Sequence, residues 1–281
     1  VILEGDDVRL NYEVIGEGSP VTLLHGFTQS GRSWHEVISL MPEGWQWILP
    51  DLRGHGATVV RPGAPYTMDA CTADLEMLWD SLGIARTHLV GYSMGGRLAL
   101  HVAAARPERL LSLLTIGAHA GLEEEAREGR RRGDEALAHR IETEGLEAFI
   151  NHWSSLPLFE GLERRGPAFL AQVRAVRMDN HAAALAESLR GMGAGAMRPL
   201  WNELDRVKAP STFVAGQLDH GYAASARRLA ASVPSGRVVL VQRAGHTVHQ
   251  ERPEAFSRLL LAHLEAASER SEPSPSSSTS A

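Results

Sequence analysis

Hydrophobic and polar positions along the chain switch between two periods. Short β-rich runs at Val8 to Ile15, Val21 to His25, Trp45 to Pro50, His88 to Tyr92 and Leu111 to Ile116 read as strands, and stretches at helical spacing separate them. The helical stretches are Trp34 to Leu40, Met68 to Leu82 and Met94 to Ala105. The runs Val21-Thr22-Leu23-Leu24 and Leu89-Val90 are apolar without alternation, the pattern of parallel strands covered by helices on both faces. Val8 to Ile15, followed by Gly16-Glu17-Gly18-Ser19-Pro20, reads as an antiparallel edge hairpin entering the sheet.

From Leu122 to Trp201 the strand signal disappears. Ala, Leu, Arg and Glu take over at helical spacing, with Gly133, Gly145, Pro157, Gly161 and Pro167 as breaks. Strand signals return at Thr212 to Gly216 and Arg237 to Gln242, each followed by a helical stretch. The expected architecture is an α/β core built from residues 1–121 and 202–267, interrupted by a helical lid over 122–201. Residues 268–281, Ser-Glu-Arg-Ser-Glu-Pro-Ser-Pro-Ser-Ser-Ser-Thr-Ser-Ala, have nothing to bury and are expected to be disordered.

Composition narrows the function classes. The chain has 281 residues, 43% hydrophobic and 22% charged, as in an ordinary globular protein. Its 28 Lys plus Arg against 34 Asp plus Glu give a net charge of -6, without the broad positive field that phosphate backbones attract, so nucleic acid is not an expected partner. Cys71 is the single cysteine, so no internal disulfide can form and a reducing compartment fits. Val1-Ile2-Leu3 turns charged at Glu4, Asp6 and Asp7, neither a cationic signal peptide nor an apolar span of about 20 residues; a cytoplasmic protein with no membrane partner is expected.

The sharpest local signal is Gly91-Tyr92-Ser93-Met94-Gly95-Gly96, directly after one predicted strand and before one predicted helix. A serine on such a turn needs glycines beside it because neighbouring backbone approaches closely, and the turn pushes the hydroxyl out at the C-terminal edge of the sheet. The helix from Met94 directs its free amides toward that point, where negative charge would be stabilised. A Gly-Ser turn that merely packs a helix would look the same in isolation; the strand-to-helix context favours catalysis.

A serine hydroxyl needs a histidine to take its proton, and the histidine needs an acid to fix its tautomer. Of thirteen histidines, His246 lies in Ala244-Gly245-His246-Thr247 after the last strand, and Asp219 follows the preceding strand in Gly216-Gln217-Leu218-Asp219. Ser93, Asp219 and His246 thus come in one order, each at the end of a separate strand. His35, His220 and His249 read as surface or packing histidines. His246 and His249 stand three apart without a third ligand at recognisable spacing, so no metal and no cofactor are expected. In His25-Gly26-Phe27, the Phe27 amide is placed to pair with the Met94 amide as an oxyanion hole. The loop Asp51-Leu52-Arg53-Gly54-His55-Gly56 reads as structural, with Asp51 and Arg53 paired internally.

With these motifs in one order around a helical insertion, the sequence resembles the α/β-hydrolase superfamily over nearly its whole length. A narrower resemblance lies in Gly91 to Arg97, Gly117-Ala118-His119-Ala120-Gly121-Leu122, Arg130-Arg131-Arg132-Gly133-Asp134-Glu135, Trp153 with Pro157-Leu158-Phe159, and Val176-Arg177-Met178-Asp179-Asn180. These look like the 2-succinyl-6-hydroxy-2,4-cyclohexadiene-1-carboxylate synthases of menaquinone biosynthesis. The resemblance implies a lyase that eliminates pyruvate from 2-succinyl-5-enolpyruvyl-6-hydroxy-3-cyclohexene-1-carboxylate, a carboxylate-bearing small molecule. It implies that Arg97, Arg130 and Arg177 bind the carboxylates, with His25, Tyr92 and Trp153 also contacting substrate, although Trp153 would serve equally as lid core. Arg131, Arg132, Arg164 and Arg165 read instead as surface partners of the lid glutamates. Ser93, activated by His246 and Asp219, would then abstract a ring proton while the Phe27 and Met94 amides hold the charge on the succinyl carbonyl. Where some members place a tyrosine after the lid tryptophan, this chain has Ser154. Two other readings stand beside this one. A serine hydrolase of small esters or of C–C bonds would use the same triad without needing three convergent arginines, and a ligand-binding receptor would need no triad. The sequence leaves the oligomeric state open.

Overall fold

The computed structural model describes residues 1–271. Nine strands form one sheet: β1 (Ile2–Glu4), β2 (Val8–Ile15), β3 (Gly18–Leu24), β4 (Gly44–Pro50), β5 (Val59–Val60), β6 (Thr87–Tyr92), β7 (Leu110–Ile116), β8 (Ser211–Gly216) and β9 (Gly236–Val241). Its order is β1-β2-β4-β3-β6-β7-β8-β9, with β5 pairing β2. From β4 to β9 every pairing is parallel, so the C-terminal ends of these strands open on one edge.

The edge hairpin expected at Val8 to Pro20 does not form. β2 pairs antiparallel with β4, Tyr12 opposite Pro50 and Ile15 opposite Trp47, and β4 thereby separates β2 from β3. The Gly16 turn joins two strands that are neighbours in sequence and not in the sheet.

Helices cover both faces. α2 (Met68–Ser81), α3 (Met94–Ala105) and α7 (His220–Ser232) lie on one side, and the short α1 (His35–Ser39), α8 (Val248–Glu251) and α9 (Pro253–Ser271) on the other. Neighbouring strand residues divide between the two sides: Leu89 and Leu113 enter the core that holds Leu75 and Leu98, while Val90 and Leu114 enter the core that holds Trp34 and Phe256. This is why the strands carry apolar runs without alternation. The Thr67 hydroxyl accepts the Ala70 amide at 3.2 Å and caps α2. The expected helix at Trp34 to Leu40 is in fact a 3-10 turn, Gly31–Trp34, running into α1.

Between β7 and β8 the chain forms α4 (Glu124–Ser154), 3-10 turns over Pro157–Arg165, α5 (Pro167–Met178) and α6 (Ala182–Met192). These helices have a small core of their own, Ala138, Ile141, Phe149, Ile150, Leu185, Ala186 and Leu189. Gly145, at φ 83, ψ 166, breaks α4, whereas Gly133 stays helical. α9 continues to Ser271, so Ser268 to Ser271 of the segment expected to be disordered are helical, and the rest of that segment lies outside the described residues.

Asp51 and Arg53 do not pair with each other. Arg53 donates to both oxygens of Asp74 on α2, at 2.5 and 2.8 Å. The Asp51 carboxylate accepts instead from the Asn11 side chain and from the Gly31 and Ala57 amides, tying the middle of β2 to the loops that follow β3 and β4. A side chain with two acceptor oxygens satisfies loop amides that no strand can reach.

Candidate active site

Ser93 stands between the end of β6 and the start of α3 with φ 52 and ψ -108, a region that a non-glycine residue seldom occupies. Its amide donates to the Ile116 carbonyl at 2.8 Å, and its own carbonyl accepts from Arg97 at 2.9 Å, so both neighbouring elements hold the strained turn. A Cβ at Gly95 would lie 2.5 Å from the carbonyl oxygens of Leu24 and His25, which only a bare α-carbon permits.

His246 and Asp219 arrive at the same point from the loops after β9 and β8. The His246 Nε2 lies 3.1 Å from the Ser93 Oγ, and its Nδ1 lies 2.8 Å from the Asp219 Oδ2. A carboxylate only accepts, so Nδ1 carries the proton of the neutral imidazole and Nε2 is free to accept from the serine hydroxyl. Asp219 is held in turn: its Oδ1 accepts the Tyr222 amide at 3.3 Å and caps α7. The distances are those of a nucleophile–base–orienter chain.

Beside it lies a cavity of about 670 Å³, with Ser93, His246, Phe27 and Met94 in its wall. Met94 opens α3, and among the described residues its amide and that of Phe27 meet no protein acceptor. The Phe27 ring packs against Trp153 at 5.3 Å and Phe149 at 6.3 Å. Trp153 also meets Phe149 and Phe159, so it is both cavity wall and part of the helical insertion's packing. Tyr92 lines the cavity too, its ring 5.3 Å from His246.

The three arginines singled out in the sequence have different surroundings. Arg97 lines the cavity and is 8% exposed; its Nη1 donates to the Met192 carbonyl at 2.9 Å, and no carboxylate pairs with it among the described residues. Burial pulls its pKa down to about 10, which leaves it charged at neutral pH. Arg130 lines the same cavity but is half exposed, and its Nε donates to Asp134 at 2.7 Å. Arg177 does not line the cavity. It lies beneath the wall with its guanidinium 4.4 Å from the Phe159 ring and 2.6 Å from the Ser154 hydroxyl, is 1% exposed, and is likewise brought to about 10 by burial. Ser154 thus accepts from the buried arginine.

His25 falls outside the cavity. Its Nε2 accepts the Leu52 amide at 2.9 Å and its Nδ1 donates to the Gly26 carbonyl at 2.8 Å, so neither ring nitrogen is left for a substrate, and the ring instead fixes the Phe27 turn. Arg165, read as a partner of the lid glutamates, pairs with Glu36 of the core; Arg131 and Arg132 do pair with Glu128.

Sequence reasoning missed a stripe on α7. Tyr222, Ser225 and Arg228 follow Asp219 at intervals of three, and all line the cavity. The spacing was the available signal, since residues three apart share a helix face. The Tyr222 ring lies 4.5 Å from that of His246, and Arg228 stacks 3.6 Å over Trp201 while meeting Glu123 at 3.1 Å. His119, also missed, lies in the wall with its pKa lowered to about 3, first by burial and then by Arg97 and Arg130. It is therefore a neutral acceptor or donor.

Among the described residues no helix is long and apolar enough to cross a membrane. Residues 19–253 match the model of the alpha/beta hydrolase fold family. A Bacillus subtilis (strain 168) protein carrying the name 2-succinyl-6-hydroxy-2,4-cyclohexadiene-1-carboxylate synthase provisionally is 36% identical over 94% of this chain and 97% of its own. The synthase of that name from Yersinia pseudotuberculosis serotype O:3 (strain YPIII) is 32% identical over 86% of this chain and 85% of its own. The solved structure of MenH from S. aureus superposes with a TM-score of 0.87 at 30% identity, over 92% of this chain and 98% of that one.

Proposed function

The chain belongs to the α/β-hydrolase fold family and, within it, to the 2-succinyl-6-hydroxy-2,4-cyclohexadiene-1-carboxylate synthases, and on that premise we propose that it is a carbon–oxygen lyase releasing pyruvate from 2-succinyl-5-enolpyruvyl-6-hydroxy-3-cyclohexene-1-carboxylate. The observation that carries this reading is the buried Arg97 in the wall of the Ser93 cavity, with no carboxylate paired to it among the described residues. An unpaired buried cation is costly, and a carboxylate-bearing ligand supplies what the protein withholds.

In this reading His246 takes the Ser93 proton and Ser93 abstracts the ring proton next to the succinyl carbonyl. The electron pair of that C–H bond enters the carbonyl as an enolate, whose oxygen the Phe27 and Met94 amides receive. The pair then returns through the ring double bond, and the C–O bond to the enolpyruvyl group breaks. The proton held by the triad goes back to the leaving group, which departs as pyruvate, so no water is consumed. Arg97 and Arg130 hold carboxylates of the substrate, while Arg177 acts from behind the Tyr92 and Phe159 wall. The aromatic faces of Phe27, Tyr92 and Trp153 exclude water around the ring. The reaction takes place in the cytoplasm, where the buried Cys71 stays a thiol.

Mixing the purified protein with the enolpyruvyl substrate and following pyruvate tests this. Release well above the spontaneous rate and lost in Ser93→Ala is expected. Release at the background rate together with brisk cleavage of p-nitrophenyl acetate would make the protein a serine hydrolase.

A further inference from the structure

His246 sits on a loop without regular structure between β9 and α8, yet its imidazole must meet two partners at fixed distances. The end of α8 turns back onto this loop. One oxygen of the Glu251 carboxylate accepts the Gly245 amide at 2.7 Å, and the other accepts the Thr247 amide at 3.1 Å and the Thr247 hydroxyl at 2.9 Å. These two residues immediately precede and follow His246, so one buried carboxylate, 6% exposed, holds the peptide on either side of the imidazole.

The helical insertion closes over the same carboxylate. A Cβ at Gly161, in the turns Pro157–Arg165, would lie 2.0 Å from a Glu251 oxygen, so this backbone rests directly on it. Arg164 donates to the Arg243 carbonyl at 3.4 Å and Arg165 to the Gln250 carbonyl, one on each side of His246 in sequence.

We infer that Glu251 is a positioning residue for His246: it fixes the loop that aims the imidazole at Ser93 and ties that aim to the seating of the Pro157–Arg165 segment. This rests on the reading of Ser93, Asp219 and His246 as the catalytic set. Three donors converge on a group that only accepts. In Glu251→Gln the shape stays, but one oxygen becomes an NH2 group facing an amide or hydroxyl donor, so one side of the clamp opens. The imidazole then spends less time within reach of the serine, which slows the chemistry without removing any group that holds the substrate.

The experiment measures Glu251→Gln beside wild type by two readouts, pyruvate release and the rate at which diisopropyl fluorophosphate labels Ser93. Labelling needs an activated serine whatever the natural substrate is. Labelling and kcat are expected to fall together by about 10- to 100-fold, the size of effect that a displaced catalytic group produces, with KM little changed. A folded Glu251→Gln protein that labels and turns over like wild type would overturn the proposal, as would a rise in KM alone. Should Glu251→Gln not fold, Gly161→Ala presses on the carboxylate from the other side: slower labelling supports the role, and an unchanged rate overturns it. Wild-type protein that labels rapidly yet releases no pyruvate would remove the lyase reading and leave the Glu251 test intact.

Discussion

Gly117, at the end of β7, lies against the His246 ring so closely that a Cβ there would stand 2.7 Å from Cε1 and 2.9 Å from Nδ1. The residue also has φ 56, where a side chain adds strain of order 1 kcal/mol. Gly117→Ala therefore pushes the imidazole off its line to Ser93. Pyruvate release should fall by about 10- to 100-fold in a protein that still unfolds cooperatively, as steady-state kinetics beside a thermal melt would read.

Removing Arg97 should separate binding of an acidic substrate from triad chemistry. A charge-bearing hydrogen bond contributes about 1.5–3 kcal/mol, so Arg97→Ala should lower kcat/KM for the enolpyruvyl substrate by roughly 10- to 100-fold. Hydrolysis of the neutral p-nitrophenyl acetate should be retained. Equal losses on both substrates would mean that Arg97 supports the fold of the elbow and not the ligand.

The Arg53–Asp74 pair joins the loop after β4 to α2 with side chains 3% and 7% exposed. Asp74→Ala leaves the buried guanidinium only the Pro65 carbonyl and the exposed Asp7 carboxylate at 3.8 Å, and breaking such a pair costs about 3 kcal/mol. Urea unfolding should show that loss, while kcat per folded molecule stays near wild type because neither residue lines the cavity.

Buried histidines set the acid limit of the fold. Burial lowers His88 and His101 to about 4, and His119, His249 and His263 to about 3. In the unfolded chain each titrates near the ordinary histidine value of about 6.5. Above that value both states are neutral and pH has no effect through these groups. As pH falls below it the unfolded chain takes up protons that the native state refuses, so stability drops until the folded values are reached. Melting temperature should therefore decline from about pH 6.5 toward pH 4. The double variant His88→Gln, His263→Gln, which keeps polar partners for the Ser112 and Thr212 hydroxyls, should flatten that decline.

Much of the site could be read along the chain because its chemistry is attached to strand ends. Gly91 to Gly96 had to be a strand-to-helix turn, and Asp219 and His246 each follow an apolar run, so their arrival at one sheet edge follows from parallel strands. The α7 stripe of Tyr222, Ser225 and Arg228 went unread because a polar residue every three positions on a helix looks the same whether it meets solvent or a cavity. The fate of His25 was equally hidden, since only the approach of Leu52 from the loop after β4 fills its second nitrogen.

What the sequence determined by itself was local: the period of each element, the elbow at Ser93 and the order of the three residues around it. These depend on φ/ψ preference and on which face of an element is apolar, and both are written in a few consecutive residues. The tertiary structure alone decided that β4 separates β2 from β3, that Arg53 turns to Asp74, that Arg97 faces the cavity while Arg177 lies behind it, and that Glu251 grips both flanks of His246. Each is a choice among partners far apart in the chain. Such choices are made by the packing of the whole, where burial leaves each charged or polar group only the neighbours that the fold delivers.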